Sequence, residues 1–299
     1  MTTLERELAA AIEHKDLDTL IAALAKRGSG PFAIGADPGT AKGADIMLAA
    51  RLIRSELKPR PAALFDWTKR LLTQTDYNGH MLGLVLLSDA YAHKPKAALQ
   101  LLQRHADSFN WAVREYAGTC AGRILDQHFA EVYPVMRDWS HHSAENVRRL
   151  VVIATMEAAK ANHPKRGAKL LKLLDPLMSD ESRYVRVNLG PFAVSLALLK
   201  NYPNLTLKWL HRHANRKNEF ARWNVAMVWS AVGGRKYAVE GMQLLEQLAA
   251  DERRFVWRAV ASATIKLGKA RPDVVKPLVK QWRTDPQRKQ VAAVVNRYL

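Results

Sequence analysis

The residues best placed to do chemistry are Trp111 and Glu115. Four apart on a helix, they share one face, a single turn from each other. An aromatic face beside a carboxylate stabilises a positively charged sugar or base, the ring through its quadrupole and the carboxylate through its charge. Cleavage of a glycosidic bond through an oxocarbenium-like transition state needs that stabilisation. The same spacing also suits a packed Trp and a Glu paired to Arg114 or Arg149. Other candidate chemistry is sparse. His141-His142 and His211-x-His213 are isolated pairs, read as polar loop residues, so no metal site is expected. The single cysteine, Cys120, rules out an internal disulfide and a Cys-based metal site, and its apolar helical setting suits a small buried hydrophobe.

The element that must position Trp111 and Glu115 is one copy of a recurring phrase. It runs Asn110-Trp111-Ala112-Val113-Arg114-Glu115-Tyr116, then Glu145-Asn146-Val147-Arg148-Arg149-Leu150. It returns as Arg183-Tyr184-Val185-Arg186-Val187, as Glu219-Phe220-Ala221-Arg222-Trp223 and, more loosely, as Arg254-Phe255-Val256-Trp257-Arg258. Anchored on Val113, Val147, Val185, Ala221 and Val256, the spacings are 34, 38, 36 and 35. A period in that range means stacked helical hairpins, each too small to bury its apolar face alone. The positions two before, two after and six after the anchor form a stripe of Trp111, Glu115 and Thr119, then Glu145, Arg149 and Ile153, then Arg183, Val187 and Pro191, then Glu219, Trp223 and Met227, then Arg254, Arg258 and Ser262. A stripe mixing aromatic, acidic and basic groups is expected to be the concave functional face. The arginine one after the anchor (Arg114, Arg148, Arg186, Arg222) has two readings, structural pairing with a neighbouring turn or phosphate contact through its fixed donor fork.

Charge follows the same repeats. Lys and Arg number 46 against 28 Asp and Glu, a formal net charge of +18. Residues 1–100 carry 13 basic and 11 acidic residues, so residues 101–299 hold 33 and 17, or +16 of the total. A basic field of that size suits a polyanion, nucleic acid above all. The N-terminus lacks the charged and apolar regions of a signal peptide, and no apolar window spans a bilayer, so a cytoplasmic protein without a membrane partner is expected.

The rest of the chain predicts an all-α solenoid over residues 1–299, with N-terminal helices in 1–74, a flexible Gly/Pro-rich loop near 28–43 and repeats over 75–299. Residues 3–26 should be helical with a break near Lys15-Asp16, and no period-2 strand pattern occurs. Gly39-Thr40-Ala41-Lys42-Gly43 lacks the spacing and preceding strand of a phosphate loop. Trp139, Trp229 and Trp257 are expected in the core, and Trp67, Trp209 and Trp282 partly exposed. Pro134, Pro176, Pro203, Pro272 and Pro277 should fall near the starts of the intervening helices.

Residues from about 75 to 268 resemble the HEAT-like-repeat DNA alkylation repair glycosylases, the AlkC/AlkD superfamily. Trp111-x-x-x-Glu115 is similar to the Trp-x-x-x-Asp motif of the AlkD branch, whose carboxylate is catalytic. Trp139-Ser140 followed by Glu145-Asn146-Val147-Arg148-Arg149-Leu150 resembles the stretch in which an Arg, here Arg149, contacts the DNA backbone. Asp180-x-Ser182-Arg183-Tyr184-Val185-Arg186 is similar to a segment of the AlkC branch. The AlkD branch carries a second Trp where this chain has Gly190-Pro191-Phe192, with Pro191 aligned to it. The resemblance implies a protein gripping duplex DNA in a basic concave groove and hydrolysing the N-glycosidic bond of cationic N3- or N7-alkylpurines without metal or cofactor, and an open-ended solenoid of this kind is expected to act as a monomer. Glu115 would stabilise the sugar cation and position water, and Trp111 would contact the deoxyribose or the lesion. Arg149, Arg183, Trp223 and Arg258 would hold phosphates or sugars, with Arg148, Arg186, Arg222 and Arg254 as further DNA contacts. The alternatives are a non-catalytic binder of damaged or branched DNA and a scaffold for an acidic protein partner.

Overall fold

A computed structural model describes residues 1–26, 39–58 and 60–299. The expected loop therefore falls largely outside the described residues, as does Pro59. Among the described residues every regular element is helical, as the repeat period requires. None of these helices is long and apolar enough to cross a membrane. The chain forms two compact units, Met1–Gln127 and His128–Leu299.

The first unit contains α1 (Thr3–Glu13), α2 (Leu17–Lys26), α3 (Gly43–Leu57), α4 (Pro61–Leu72), α5 (Tyr77–Ala90), α6 (Pro95–Ala106) and α7 (Trp111–Gln127). The break between α1 and α2 falls where expected, with Lys15 in the left-handed region at φ 56°. Pro61 and Pro95 sit in the first turns of α4 and α6, where a missing N–H costs nothing. The segment after residue 38 is docked rather than open. Asn78 accepts from the Ala41 amide at 2.7 Å and donates to the Gly39 carbonyl at 3.1 Å, so the Ala41 donor is taken by the chain itself. α5 is buried nearly all round, and α7 packs on it and on α6.

The second unit contains α8 (Phe129–Trp139), α9 (Glu145–Ala158), α10 (Gly167–Leu174) and α11 (Arg183–Asn188). α11 runs on through a π-helical stretch, Leu189–Leu198, into α12 (Leu199–Asn201). Then follow α13 (Pro203–Ala214), α14 (Glu219–Val228), α15 (Ala238–Ala249), α16 (Arg254–Ala270), α17 (Pro272–Trp282) and α18 (Lys289–Val295). The phrase-bearing helices α9, α11 with its π-helical continuation, α14 and α16 pack in series, α14 resting on the π-helical stretch, and α10, α13, α15 and α17 form a second row. Each anchor residue, from Val113 to Val256, is buried. The residue three before it is the N-cap where its type allows. Asn110 Oδ1 accepts from the Val113 amide, Ser182 Oγ from the amides of Tyr184 and Val185, and Asn218 Oδ1 from the Ala221 amide. Such caps contribute about 1 kcal/mol each.

Several local expectations change. Pro203 and Pro272 open helices, but Pro134 and Pro277 lie inside α8 and α17, and Pro176 follows α10. Trp67, Trp209 and Trp282 are buried rather than partly exposed; Trp139 and Trp229 are core residues as expected, but Trp257 is only half-buried. Pro191 lies in the π-helical stretch, where its lack of an N–H removes one helical donor and favours the wider turn. A Cβ on Gly190 would stand 2.7 Å from the Asn224 carbonyl oxygen, so glycine is what lets this stretch approach α14.

Candidate nucleic-acid interface

In the first unit, α7 brings Trp111 and Glu115 to the surface together. Trp111 is the first helical residue and is 40% exposed, so it is not a packed core Trp. Glu115 is half-buried and lines a cleft of about 140 Å³ with Met47, Leu84, Val85, Tyr116, Thr119, Cys120 and Arg123. Three helices build it, α3 supplying Met47, α5 supplying Leu84 and Val85, and α7 the rest. Its floor is apolar and its polar groups come from α7. Burial pushes both the Tyr116 hydroxyl and the Cys120 thiol up, so Cys120 stays a protonated, inert thiol. Glu115 is thus a carboxylate half-withdrawn from water beside an exposed aromatic ring.

The arginine after each anchor has a structural role that recurs. Arg114 Nη1 donates to the carbonyls of Ser108 and Phe109 at 2.7 and 2.8 Å. Arg148 Nη1 does the same to His142 and Ser143 at 2.8 and 2.7 Å, and Arg186 Nη1 to Asp180 and Glu181 at 3.1 and 2.5 Å. Each guanidinium therefore clamps the turn before its own helix, at the carbonyls six and five residues back. Arg148 also forms a bidentate pair with Asp180 of the next turn, at 2.6 and 3.1 Å. That hydrogen bond raises the Arg148 pKa. In the fourth copy Arg222 pairs with Asp251 at 2.6 Å, and Arg253 joins the same carboxylate while donating to the Lys217 carbonyl. Burial alone would raise the Asp251 pKa. Hydrogen bonds from the Arg253 side chain and amide, with the charge of Arg222, outweigh it and hold the carboxyl below its usual range. Arg148, Arg186 and Arg222, expected among the DNA contacts, thus each commit donors to the fold.

Arg149 also differs from expectation. It is 4% exposed, its guanidinium 4.5 Å above the Tyr184 ring and Nη2 3.4 Å from Asn188 Oδ1. In this arrangement it faces the next repeat rather than solvent.

The stripe is best developed on α14 and α16. Trp223, Met227, Arg254, Phe255, Arg258, Ala259 and Ser262 line one open cleft of about 530 Å³. Five of these are stripe positions, so the register read from the anchors holds across these two repeats. Trp223 and Phe255 stack at 5.9 Å and 18°. The Arg186 guanidinium lies 4.5 Å from the centre of Phe220, 5.4 Å from Phe255 and 5.7 Å from Trp223. Partial burial among these rings lowers its pKa, and cation–π attraction offsets the lost hydration. Arg254 and Arg258 are exposed at the cleft, and Arg183 is exposed on α11. Phe255 and Arg253 lie outside the stripe positions that the spacing defines. The available signal was an aromatic residue just before the anchor in three successive copies, Tyr184, Phe220 and Phe255.

The histidine pairs separate. His141 and His142 lie in the turn after α8, whereas His211 and His213 belong to α13, and His213 is fully buried. His213 Nε2 is 3.0 Å from Asp175 Oδ1, which also accepts from Trp209 Nε1 at 2.6 Å. Burial holds the His213 pKa down against the pull of Asp175. Among the described residues no three His, Cys, Asp or Glu side chains gather as a metal site.

Two solved structures of engineered proteins resemble the chain weakly. One is 14% identical with a TM-score of 0.30, covering 90% of this chain and 100% of its own. The other is 16% identical with a TM-score of 0.33, covering 99% and 88%. Likenesses at that level carry no argument here. No curated protein matches the sequence. The family model described as DNA alkylation repair enzyme matches residues 44–226, from the start of α3 into α14. Trp111, Glu115, Arg149, Arg183 and Trp223 fall inside the match, and Arg254 and Arg258 lie beyond it. With well over half of its length matched, this chain belongs to the DNA alkylation repair enzyme family, which gives it a role in DNA repair with DNA as its partner.

Proposed function

We propose that the protein is a monofunctional DNA N-glycosylase that removes N3- and N7-alkylated purines from duplex DNA. The observation that carries this reading is the placement on α7 of a surface-exposed Trp111 one turn from a half-buried Glu115, which lines a small apolar cleft. An alkylated purine of this class already carries positive charge, so its bond to C1′ is weakened before the enzyme acts. As that bond breaks, its electron pair leaves with the base and neutralises it. Positive charge then develops on the deoxyribose. The Glu115 carboxylate stabilises that charge and orients water, which attacks C1′ and gives up its proton, leaving a free base and an abasic sugar. Trp111 supplies a ring face to the same sugar or to the lesion. Arg183, Arg254 and Arg258, with Trp223, hold phosphates and sugars, while Arg148, Arg149, Arg186 and Arg222 position the helices that present them. The net charge of +18 supports a backbone-dominated grip.

A second reading has its own observation. Where the AlkD branch carries a second Trp, this chain has Pro191 inside a π-helical stretch, with Phe192 exposed beside it. That favours a protein that binds damaged DNA without cutting it. Release of free base from DNA containing N3- or N7-methylpurines separates the two. Excision by wild type supports the glycosylase. Tight binding with no release in single-turnover conditions supports the binder.

A further inference from the structure

Phe109 is 99% exposed, and it sits two residues before Trp111. A lone exposed apolar side chain is ordinary. The backbone that carries this one is held in place, and the repeats show what its position normally contains. Its carbonyl accepts from Arg114 Nη1 at 2.8 Å, beside that of Ser108 at 2.7 Å. The Asn110 amide donates to Ser108 Oγ at 3.2 Å, and Asn110 Oδ1 caps α7. The turn is therefore fixed at both ends. The same arginine clamp holds Ser143 before α9 and Glu181 before α11, and Arg253 holds Lys217 before α14. Those three, and Glu252 before α16, are exposed as well. The architecture thus pushes this position into solvent in every copy, and four copies fill it with a polar residue. Only the copy that carries Trp111 and Glu115 has an aromatic ring.

We propose that Phe109 is a wedge that inserts into the base stack of DNA beside the damaged nucleotide, while Trp111 and Glu115 act on its sugar. The proposal rests on reading α7 as DNA-facing. A ring fully in water has apolar area to bury, and a base step offers it two π-faces. The clamp means that little backbone ordering entropy is lost when the ring enters, and only the rotamers of one side chain remain to be fixed. An apolar side chain carried on a fixed turn is the form that kinking and unstacking proteins use.

The test uses the full-length protein and a duplex in which 2-aminopurine flanks a 7-methylguanine. Wild type should raise 2-aminopurine fluorescence on binding. Phe109→Ala should abolish that rise and slow single-turnover base release by about 5- to 150-fold, the range for loss of one aromatic–base stack. Its melting temperature should not fall, because the ring buries nothing in the free protein. Phe109→Trp should restore both signals. If Phe109→Ala unstacks and excises like wild type, the wedge is wrong while the glycosylase stands. If wild type releases no base, the glycosylase reading fails, and a Phe109-dependent fluorescence rise would keep the wedge on its own. If the fluorescence is untouched but Phe109→Ala turns a wild-type dimer into a monomer in sedimentation, the ring is a contact between copies and the proposal is overturned.

Discussion

Arg148→Ala separates an arginine that holds the fold from one that holds DNA. Four hydrogen bonds are lost, two to the Asp180 carboxylate at 2.6 and 3.1 Å and two to the carbonyls of His142 and Ser143 at 2.8 and 2.7 Å. The Asp180 side chain is 5% exposed and the Arg148 side chain 20%, so the pair is well shielded and the truncation strands a buried carboxylate. Breaking such a pair costs about 3–5 kcal/mol. For a unit of this size that corresponds to a fall in Tm of about 6–20 °C. The contrast is Arg258→Ala, where an exposed guanidinium is removed and stability should move by less than about 0.5 kcal/mol. In DNA binding the order reverses. Arg258→Ala should reduce the slope of log K against log salt by about 0.9, one phosphate contact, while Arg148→Ala should leave it unchanged at a temperature where the variant is folded. Calorimetry and a salt titration of affinity measure the two quantities. An Arg148→Ala protein that melts like wild type but has a shallower salt slope would refute the division of roles.

Two further substitutions probe the scaffold. Gly190→Ala places a Cβ 2.7 Å from the Asn224 carbonyl, which is backbone and has little freedom to move, so it should cost about 1–3 kcal/mol in thermal unfolding. Asp251→Asn tests the pH dependence of the second clamp. The folded pKa of Asp251 lies below its ordinary value of 3.8, so its stabilising contribution is complete above that value and is lost as pH falls through the folded one. The Tm deficit of Asp251→Asn should be full near neutrality and shrink steadily below about pH 4. A deficit that grew on acidification would show that the carboxylate is not held in its charged form.

What the sequence made legible follows from what side chains alone encode. The anchors were readable because a residue buried in every copy must be small and apolar, and their spacing carried the register of the Trp223–Arg258 stripe with it. Arg114, Arg148 and Arg186 left two readings open because their acceptors are main-chain carbonyls, and carbonyls are the same in every sequence. Arg149 was placed at the DNA by resemblance, and its burial against Tyr184 depends on how adjacent repeats approach. The π-helical stretch was signalled only by Pro191, since a widened turn changes no pattern of apolar residues over so short a span. Phe109 went unread because one exposed ring has no periodicity. Its meaning emerges only when the clamped positions of successive repeats are compared.

The central claim is that Glu115 performs chemistry on a damaged nucleotide. The most direct measurement is single-turnover release of free base from DNA containing 7-methylguanine or 3-methyladenine, by wild type and by Glu115→Gln. The substitution preserves shape and removes charge. Wild type should release the base, and the variant should lose about 10²- to 10³-fold with DNA affinity retained, the scale expected when one electrostatic stabiliser of a transition state is removed. Equal release by the two proteins would take Glu115 out of the mechanism, and no release by wild type would contradict the glycosylase itself.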